Sequence, residues 1–280
     1  MKRIIGSIVR IVAPRVFWKH RLSRMRGDFS EQELFIAPLL CDKKKTSVDV
    51  GAAMGVYTAN ILDVSRDCVA FEPGPTQSTY LKAMFGSLSL PVRVETVALS
   101  DTQGEAKLRI LEKDLGRSTI ESENLLEDPD GSATYEAVVP MRRLDDYALD
   151  GVGFIKIDVE GHELAVLRGA LATIQRCLPT LLIEIENRHK PNACKEVFNF
   201  FKAISYEGYF ILNKRVVSVS EFDSNIHQNP NNIGGWKSGW KKSGVYFNNF
   251  FFLPSGSKPR LQAALERSAL SNSKGSFPEK

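Results

Sequence analysis

SVDVGAAMG, at residues 47–55, is the stretch that decides the fold of this chain. An apolar strand runs into a turn with two glycines, Gly51 and Gly55, and a helical segment follows. A second apolar strand, VAFEP at residues 69–73, ends on the carboxylate of Glu72. This order is typical of an open α/β sheet, in which ligands bind at the carboxyl ends of parallel strands. The two stretches therefore predict the fold class and the edge of the sheet that carries the site.

The turn after the first strand also predicts the kind of ligand. It reads D-x-G-x-x-x-G from Asp49 to Gly55. Ala53 and Val56 occupy the positions of the second and third glycines in the dinucleotide pattern G-x-G-x-x-G. A pyrophosphate needs those glycines and a helix N-terminus, whereas a cationic amino-acid tail needs a carboxylate such as Asp49. Because Glu72 is also placed to accept ribose hydroxyls, we predict S-adenosyl-L-methionine as the cofactor.

Predicted strands alternate with predicted helices along most of the chain, which indicates a doubly wound, mostly parallel α/β sheet. The strongest strand, FIKID at residues 154–158, is short, apolar and bounded by glycines. Alternating segments at residues 106–111 and 137–141 predict an antiparallel insertion after the third strand. The last two strands are expected to be antiparallel as well. In chain order, the seven predicted strands of the sheet are residues 46–51, 68–71, 92–99, 154–158, 181–185, 209–212 and 245–253.

Composition excludes several classes of protein. The chain has 280 residues, of which 43% are hydrophobic and 25% charged, as in an ordinary globular protein with one α/β core. Its four cysteines are scattered without a C-x-x-C pair, which argues against a disulfide framework or a zinc knuckle and favours a reducing compartment. No apolar run reaches the roughly 18 to 20 residues that span a bilayer. We therefore expect a cytoplasmic protein.

Positive charge is concentrated at the start of the chain. Residues 1–27 carry eight Lys or Arg and no acid, so the remaining residues have a net charge of −4 against +4 for the whole chain. Apolar residues interleave with these bases, and no clean cleavage site of a secretory signal follows. Two interpretations stay open: a helix that rests on the anionic inner membrane surface, or a helix that packs on the domain with its bases in water. No nucleic-acid motif accompanies the patch, so we expect no nucleic-acid partner.

Carboxylates lie at or near the carboxyl ends of five predicted strands, at Asp49, Glu72, Asp101, Asp158 and Glu184. Gly51 lets the backbone approach the cofactor closely, because it has no Cβ. Asp49 would orient the turn or meet the methionine ammonium, and Glu72 would accept the ribose hydroxyls. Asp101 or the region of Ser100 would contact the adenine amine. The residues expected to bind the cofactor are Asp49, Gly51, Gly55, Tyr57, Glu72, Ser100, Asp101 and Asp158.

The acids that follow the strand at residues 154–158 are the candidates for chemistry. Asp158 could hold the cofactor ammonium or the incoming hydroxyl, and Glu160 could face the substrate. Glu163 begins a helix, where a carboxylate favours the dipole and bonds backbone amides. With help from Glu184, these acids could also bind a divalent cation. Close acids occur without metal too, and we predict no metal site.

A hydroxyl nucleophile also needs a base. His162 and His189 both stand near predicted strand ends, and a histidine titrates near working pH. We favour His189, because the segment from Glu184 to His189 leaves a strand towards the substrate side. Lys156, inside a strand, could pair with one of the nearby acids. The residues expected to take part in catalysis are Asp158, Glu160, Glu184 and His189.

Several of these segments resemble the FkbM-type methyltransferases, over roughly residues 45–252. The block IDVEGHE at residues 157–163 is the most specific of them. The resemblance implies a class I, Rossmann-like fold and S-adenosylmethionine-dependent O-methyl transfer, often to sugars, glycans or secondary metabolites. The segments that carry it are DVGAAMG at 49–55, FEP at 71–73, ALS at 98–100, LD at 144–145, FIKIDVEGHE at 154–163, VLRGA at 166–170 and EI at 184–185.

The chain divides into a basic arm at residues 1–44, a methyltransferase domain at residues 45–253 and a tail at residues 254–280. A short helix is expected near residues 261–270 of the tail. The segment GGWKSGWKK at residues 234–242 lies outside the resemblance. Its two tryptophans could stack on a sugar or contact a membrane interface, or the segment could be a surface loop.

We therefore predict an O-methyltransferase that acts on a hydroxyl of a sugar, glycan or related metabolite. An NAD(P)-dependent oxidoreductase on the same fold is an alternative, and the missing glycines of the first turn argue against it. A non-catalytic S-adenosylmethionine-binding module is another, and the intact acids argue against it. An N-methyltransferase would show an Asn-Pro-Pro-aromatic or similar motif after the fourth strand, where this chain has DVEG at residues 158–161.

Overall fold

The computed structural model describes residues 13–26, 31–112, 114–126, 133–233 and 244–272. The helices in these ranges are α1 (Pro14–Arg26), α2 (Glu33–Leu40), α3 (Val56–Leu62), α4 (Pro75–Ser87), α5 (Glu163–Arg168), α6 (Leu171–Cys177), α7 (Ala193–Ala203), α8 (Ser224–His227) and α9 (Lys258–Asn272). The strands are β1 (Thr46–Val50), β2 (Asp67–Phe71), β3 (Val92–Glu95), β4 (Ala98–Leu99), β5 (Gly104–Leu111), β6 (Asp114–Thr119), β7 (Thr134–Arg142), β8 (Val152–Ile157), β9 (Thr180–Glu184), β10 (Tyr206–Leu212), β11 (Arg215–Ser218) and β12 (Asn249–Pro254).

One eight-stranded sheet forms the centre of the fold, in the order β11-β10-β12-β9-β8-β1-β2-β3. Strands β3, β2, β1, β8 and β9 are parallel, and β12 runs antiparallel between β9 and β10. This confirms the predicted mostly parallel sheet of the class I, Rossmann-like methyltransferase fold. The sheet has eight strands rather than the expected seven. Asn213 and Lys214 adopt φ values of 49° and 60° and turn the chain into a hairpin that adds β11.

The expected antiparallel insertion is a second, four-stranded sheet in the order β4-β7-β5-β6. Strands β5 and β7, which contain the two predicted segments, pair antiparallel along their length. The predicted third strand at residues 92–99 is divided, because β3 stays in the main sheet whereas β4 pairs with β7. Leu108, Ile110 and Val139 form the buried side of this second sheet. The sequence did not predict β6.

Buried apolar residues cover both faces of the main sheet. Successive residues of β8 point to opposite faces, so Ile155 and Ile157 join one buried cluster with Val48, and Phe154 joins another. Every residue of β1 and β8 is buried, as expected for the central strands of a parallel sheet. One of them is Lys156, so a charged side chain lies inside the core near the carboxyl end of β8.

Helix α1 packs on the domain through Trp18, Leu22 and Met25, which are buried against α3 and α4. The opposite face of α1 is exposed and basic. The helix thus packs on the domain and keeps its basic face exposed, while residues 1–12 lie outside the described ranges. Within those ranges, no helix has the length and apolar character that crossing a bilayer requires.

The C-terminal segment begins with a longer helix than the one expected near residues 261–270. Helix α9 packs on α2, and its Leu261, Ala264 and Leu265 are buried in the same cluster as the apolar side chains of α2. The sequence predicted a polar tail after this helix, and residues 273–280 lie outside the part of the chain that the structure describes.

Candidate functional site

Two adjoining clefts lie at the carboxyl ends of the parallel strands, where β1 has β2 on one side and β8 on the other. The strand order reverses at this point, which is where open α/β sheets bind ligands. The insertion-side cleft, of about 470 Å³, is lined among others by Phe71, Glu72, Leu99, Leu108 and Thr119. The helix-side cleft, of about 640 Å³, is lined among others by Glu31, Asp49, Tyr57 and Lys156. Gly51, Ala53 and Asp158 line both clefts, so the two adjoin at these residues.

The carboxylate of Glu72 holds together the turns that follow β1 and β2. Its Oε2 accepts the backbone N–H of Ala53 at 2.7 Å, and its Oε1 accepts that of Gly74 at 2.8 Å. Burial raises the pKa of Glu72 to about 7, although the two N–H donors favour the charged form. Each carboxylate oxygen has a second lone pair, so Glu72 can also accept hydroxyls of a ligand in the insertion-side cleft.

The two glycines of the first turn have positive φ values, and each lies close to a neighbouring segment. Gly51 has a φ of +78°, and a Cβ there would lie 1.8 Å from the carbonyl oxygen of Asp158. The end of β8 therefore excludes a side chain at Gly51, where the sequence predicted close approach of a cofactor. Gly55 has a φ of +87°, and its Cβ would lie 2.6 Å from Leu81 Cδ2. Gly55 lines neither cleft, so its place in the structure is the packing of α3 on α4 rather than the expected cofactor contact.

Asp49 is buried near the end of β1 and accepts a hydrogen bond from the hydroxyl of Thr58. Thr58 belongs to the first turn of α3, so this bond ties the strand to the helix that follows it. Burial raises the pKa of Asp49, against the opposing effects of the Thr58 hydroxyl and the Lys156 ammonium. Of the two expected roles, orientation of the turn matches this geometry, because the carboxylate is already engaged.

Lys156 and Asp158 place a charge pair in the wall of the helix-side cleft. Lys156 Nζ donates to Asn249 Oδ1 at 3.1 Å and lies 3.9 Å from Asp158 Oδ2. Burial alone would lower the pKa of Lys156, but the surrounding carboxylates, Asp158 first, raise it above its usual value. Burial raises the pKa of Asp158 to about 6, against the opposing charge of Lys156. Asp158 can therefore exchange a proton near neutral pH.

Tyr57, an expected cofactor residue, lines the helix-side cleft at the start of α3. Its hydroxyl donates to Glu31 Oε2 at 2.7 Å, and its ring centre lies 4.8 Å from Lys156 Nζ. Sequence reasoning missed Glu31, which precedes α2 in a segment without a recognisable pattern. The N-terminal part of the chain therefore contributes a carboxylate to the site.

Ser100 and Asp101, the expected adenine contacts, differ from each other in burial and in their contacts. Ser100 is buried, and its Oγ shares a hydrogen bond of 2.9 Å with Nε2 of His162, which lines the insertion-side cleft. Asp101 is exposed and lines neither cleft, because β4 leaves the main sheet to join the insertion. The second sheet instead adds the hydroxyls of Ser118 and Thr119 to the wall.

Glu160 pairs with the buried His189 beyond the end of β8, with Oε2 of Glu160 2.9 Å from Nε2 of His189. Glu160 has a φ of +55°, and its carbonyl accepts hydrogen bonds from Thr119 and Asn124 at 2.9 and 2.8 Å. The insertion thus holds a strained residue in place. Burial would lower the pKa of His189, but Glu160 raises it above its usual value. Glu160 therefore favours the protonated form of His189, the residue that the sequence favoured as the base.

Glu184 at the end of β9 and Glu186 just after it are further acids at this edge of the sheet, and neither lines a cleft. Glu186, which sequence reasoning missed, accepts two hydrogen bonds from Arg188, at 2.5 and 2.8 Å, and one from the hydroxyl of Tyr246. Burial opposes ionisation of Glu186, but the bonds from Arg188 outweigh it and lower its pKa to about 2. Asn248 donates to Glu184 Oε1 at 2.7 Å, and burial raises the pKa of Glu184.

The other features singled out in the sequence lie outside the ligand clefts or outside the described residues. Glu163 accepts the backbone N–H of Gly161 at 2.8 Å, as expected for an acid at a helix start, and burial raises its pKa to about 7. Among the residues that the structure describes, no group of three His, Cys, Asp or Glu side chains is arranged to hold a metal ion. The tryptophan-rich segment at residues 234–242 lies outside those residues.

Comparison with known proteins adds one family match. A family model described as the methyltransferase FkbM domain matches residues 49–210. Among solved structures, the chain is similar to methyltransferase FkbM from Methylobacillus flagellatus KT, with 17% identity, a TM-score of 0.48 and 76% of this chain covered. The chain spans 44% of that protein, less than half of its length.

Two further solved structures resemble parts of the chain. SMU.1697c from Streptococcus mutans, in complex with SAH, has 13% identity and a TM-score of 0.41 over 65% of this chain and 88% of that chain. An rRNA methylase from Streptococcus thermophilus has 15% identity and a TM-score of 0.38 over 64% of this chain and 84% of that chain. No curated protein matches this chain.

Proposed function

Because the chain belongs to the FkbM methyltransferase family, we propose that it is an S-adenosylmethionine-dependent O-methyltransferase. Its acceptor is a hydroxyl of a sugar, glycan or related metabolite. The observation that carries this proposal is the buried carboxylate of Glu72, held by Ala53 and Gly74 beside the junction of the two clefts. An acid in this place accepts the hydroxyls of a ribose, which is how an α/β sheet fixes a nucleoside cofactor.

The two clefts fit S-adenosylmethionine in donor chemistry. The insertion-side cleft combines apolar walls with Glu72, as an adenosine requires. The helix-side cleft is lined by carboxylates and by Lys156, as a charged amino-acid end requires. Asp158 lines both clefts, so a carboxylate stands at the junction, where a ligand with a cationic centre needs one.

The bound cofactor supplies a methyl group on a sulfonium, which is already a good electrophile. The residues of the chain therefore need to orient an acceptor hydroxyl and to take its proton. Asp158 suits the second task, because it lines both clefts and burial raises its pKa to about 6. A base with a pKa near the working pH is favoured for such a transfer.

Glu160 suits the first task, orientation of the acceptor. Its backbone is fixed by Thr119 and Asn124, and its carboxylate is held beside the ring of His189. A fixed carboxylate accepts hydrogen bonds from neighbouring hydroxyls, so Glu160 and Glu184 support an acceptor that carries several of them, such as a sugar. His189 acts on the acceptor through Glu160 and is a positioning residue.

The alternatives on the same fold fit the site less well. The backbone N–H of Ala53 is engaged by the carboxylate of Glu72, whereas a dinucleotide pyrophosphate would need such donors for itself. An amine acceptor would require a group that grips the nitrogen after β8, and Asp158 and Glu160 occupy that place. These observations support O-methyl transfer.

Titration calorimetry with S-adenosylhomocysteine, with NAD as the control and with and without EDTA, tests the cofactor. Heat from S-adenosylhomocysteine alone is expected, and heat from NAD alone would overturn the assignment. Transfer of a labelled methyl group to a panel of sugars, glycans and amines tests the acceptor. A methyl ether on a hydroxyl is the expected product, and label found on amines alone would replace O-transfer by N-transfer.

We also propose that the basic arm contacts an anionic membrane surface. The exposed face of α1 carries Arg15, Lys19 and Arg24, while the apolar face of the helix is buried in the domain. Each base near an anionic surface contributes roughly 1 kcal/mol. Replacing the three by Gln should therefore release the protein from vesicles with anionic lipid in a cosedimentation experiment, with neutral vesicles as the control. Equal sedimentation of variant and parent would contradict the proposal.

A further inference from the structure

We propose that the helix-side cleft binds the amino-acid end of the cofactor as a zwitterion, with Glu31 accepting hydrogen bonds from its ammonium and Lys156 donating to its carboxylate. The inference rests on the proposed function, because it concerns the same ligand. It assigns a role to a carboxylate from the N-terminal part of the chain and to the buried lysine of β8, neither of which the sequence pattern placed on the cofactor.

The charges of the helix-side cleft match those of an α-amino acid. Three carboxylates line it, those of Glu31, Asp49 and Asp158, together with one ammonium, that of Lys156. Asp49 is 1% exposed and accepts from the hydroxyl of Thr58 at the helix start, so it is less accessible to a ligand than Glu31, which is half-buried. Asp158 is shared with the other cleft. Glu31 remains as the acid, and Lys156 as the base, that belong to this cleft.

Tyr57 arranges both members of this pair. Its hydroxyl holds Glu31 at 2.7 Å, and its ring lies 4.8 Å from the Lys156 ammonium. One aromatic side chain thus contacts both the carboxylate and the ammonium. Glu31 is half-buried and lines the cleft, so it can accept from a ligand as well as from Tyr57.

Lys156 retains donors for a ligand. An ammonium has three N–H groups, and the structure gives one of them to Asn249 Oδ1 at 3.1 Å. Asp158 Oδ2, at 3.9 Å, is attracted to the ammonium but lies beyond hydrogen-bond distance. Burying a charged lysine costs free energy unless the charge is paired, and Lys156 is 1% exposed. A ligand carboxylate in the cleft would pair with it.

The two clefts adjoin at Gly51, Ala53 and Asp158, which line both. A molecule with its nucleoside beside Glu72 therefore has its other end next to the helix-side cleft. The pair of Glu160 and His189 lies outside both sets of lining residues.

Three ligands separate the parts of this proposal by titration calorimetry. S-Adenosylhomocysteine has the whole amino-acid end, its decarboxylated analogue keeps the ammonium, and 5′-methylthioadenosine lacks both charges. E31Q should weaken the first two about tenfold, as expected for a lost charge-assisted hydrogen bond, and leave 5′-methylthioadenosine within about twofold. E33Q removes the same charge two residues away, at a position that lines neither cleft, and should change none of the three.

Lys156 is tested with the same ligands. K156M should weaken S-adenosylhomocysteine about tenfold and leave the decarboxylated analogue unchanged, because the latter has no carboxylate to lose. Circular dichroism and a thermal melt check that the variant is folded. If it is not, the parent protein supplies the test, since it should then bind S-adenosylhomocysteine about tenfold more tightly than the decarboxylated analogue.

The outcomes separate this inference from the proposed function. Equal losses of affinity for all three ligands in E31Q, or no loss for any, would overturn the inference. The helix-side cleft would then bind the acceptor or have a structural role only. A parent protein that binds S-adenosylhomocysteine and 5′-methylthioadenosine equally would do the same. A parent protein that binds none of the three would overturn the proposed function instead.

Discussion

The ends of β1 and β2 and the ends of β8 and β9 share one edge of one sheet, yet they hold their acids by different means. Glu72, after β2, is held by backbone N–H groups of the turns beside it. Glu160 and Glu186, after β8 and β9, are held by the side chains of His189 and Arg188. The first region is fixed by the path of the chain, and the second by charged partners that meet in the folded protein.

The difference appears in the pKa values. Glu72 and Glu186 are equally buried, with exposed fractions of 3% and 2%. Burial raises the pKa of Glu72 to about 7, because two neutral N–H donors only partly offset it. The guanidinium of Arg188 overcomes the same burial at Glu186 and lowers its pKa to about 2. At equal burial, the charge of the partner decides whether the acid can take up a proton near neutral pH.

The largest expected effect is a loss of stability when the backbone contact between the ends of β1 and β8, which joins the two regions, is disturbed. Gly51→Ala puts a Cβ against the carbonyl of Asp158 at a positive φ, so it should lower the free energy of unfolding by at least about 3 kcal/mol, measured by urea denaturation. Gly86→Ala is the control, because no atom lies within 4 Å of its Cβ position, and it should leave stability unchanged or slightly higher. Equal results for both glycines would mean that β1 and β8 do not meet in this way.

Arg188→Ala should have the next largest effect, because it leaves the buried carboxylate of Glu186 without its main partner. We expect a loss of about 3 kcal/mol in the free energy of unfolding. Arg143→Ala removes an arginine from an exposed pair with Asp146 and should change nothing measurable. If the two variants unfold alike, side-chain charge does not hold the β8 and β9 side together.

The first region could be predicted from sequence because its determinants are local. Asp49, Gly51 and Glu72 are read from strand ends and short spacings, and the structure brings all three to the edge where the clefts lie. Even there, the neighbour of Gly51 is the backbone of β8, which spacing along the chain does not reveal. The main sheet was predictable for the same reason, since each strand carries its own apolar pattern.

The second region depends on contacts between distant segments. Tyr246 and Glu186 are 60 residues apart in sequence, and the insertion holds Glu160 through Asn124 from 36 residues away. A single sequence gives no signal for such pairs, so Glu186 and Glu31 were missed. His189 was identified as a histidine near a strand end, but its partner, which decides its protonation, could not be read from spacing.

Glu72→Ala should affect ligand binding more than any change on the other side of the site. The substitution leaves ribose hydroxyls unpaired in a partly buried place, so the affinity for S-adenosylhomocysteine should fall about thirtyfold, or about 2 kcal/mol. His189→Gln, which perturbs the Glu160 pair, should leave that affinity within about twofold and lower turnover instead. Calorimetry measures the affinity of both variants, and transfer of a labelled methyl group measures turnover. Unchanged affinity in Glu72→Ala would contradict the cofactor geometry.

A smaller effect is a pH dependence of cofactor binding that arises at Glu72. Glu72 accepts hydroxyls in its ionised form, and its pKa is about 7, so binding of S-adenosylhomocysteine should weaken about tenfold between pH 8 and pH 6. Glu186, with a pKa of about 2, stays ionised over this range and contributes nothing. Calorimetry at the two pH values measures the change, and Glu72→Gln should reduce it to the part that comes from Asp158, whose pKa is about 6.

Stability should change with pH in the opposite direction to affinity. A raised pKa means that the folded protein binds the proton of Glu72 more tightly than the unfolded chain, whose value is 4.5. This contribution is complete below the unfolded value and is lost as the pH rises through about 7, so the ligand-free protein should unfold less readily at pH 6 than at pH 8. Glu163 has the same raised pKa, and Glu72→Gln should therefore reduce this trend without abolishing it. Affinity and stability that rise together with pH would mean that the backbone donors outweigh burial at Glu72, and the contrast with Glu186 would disappear.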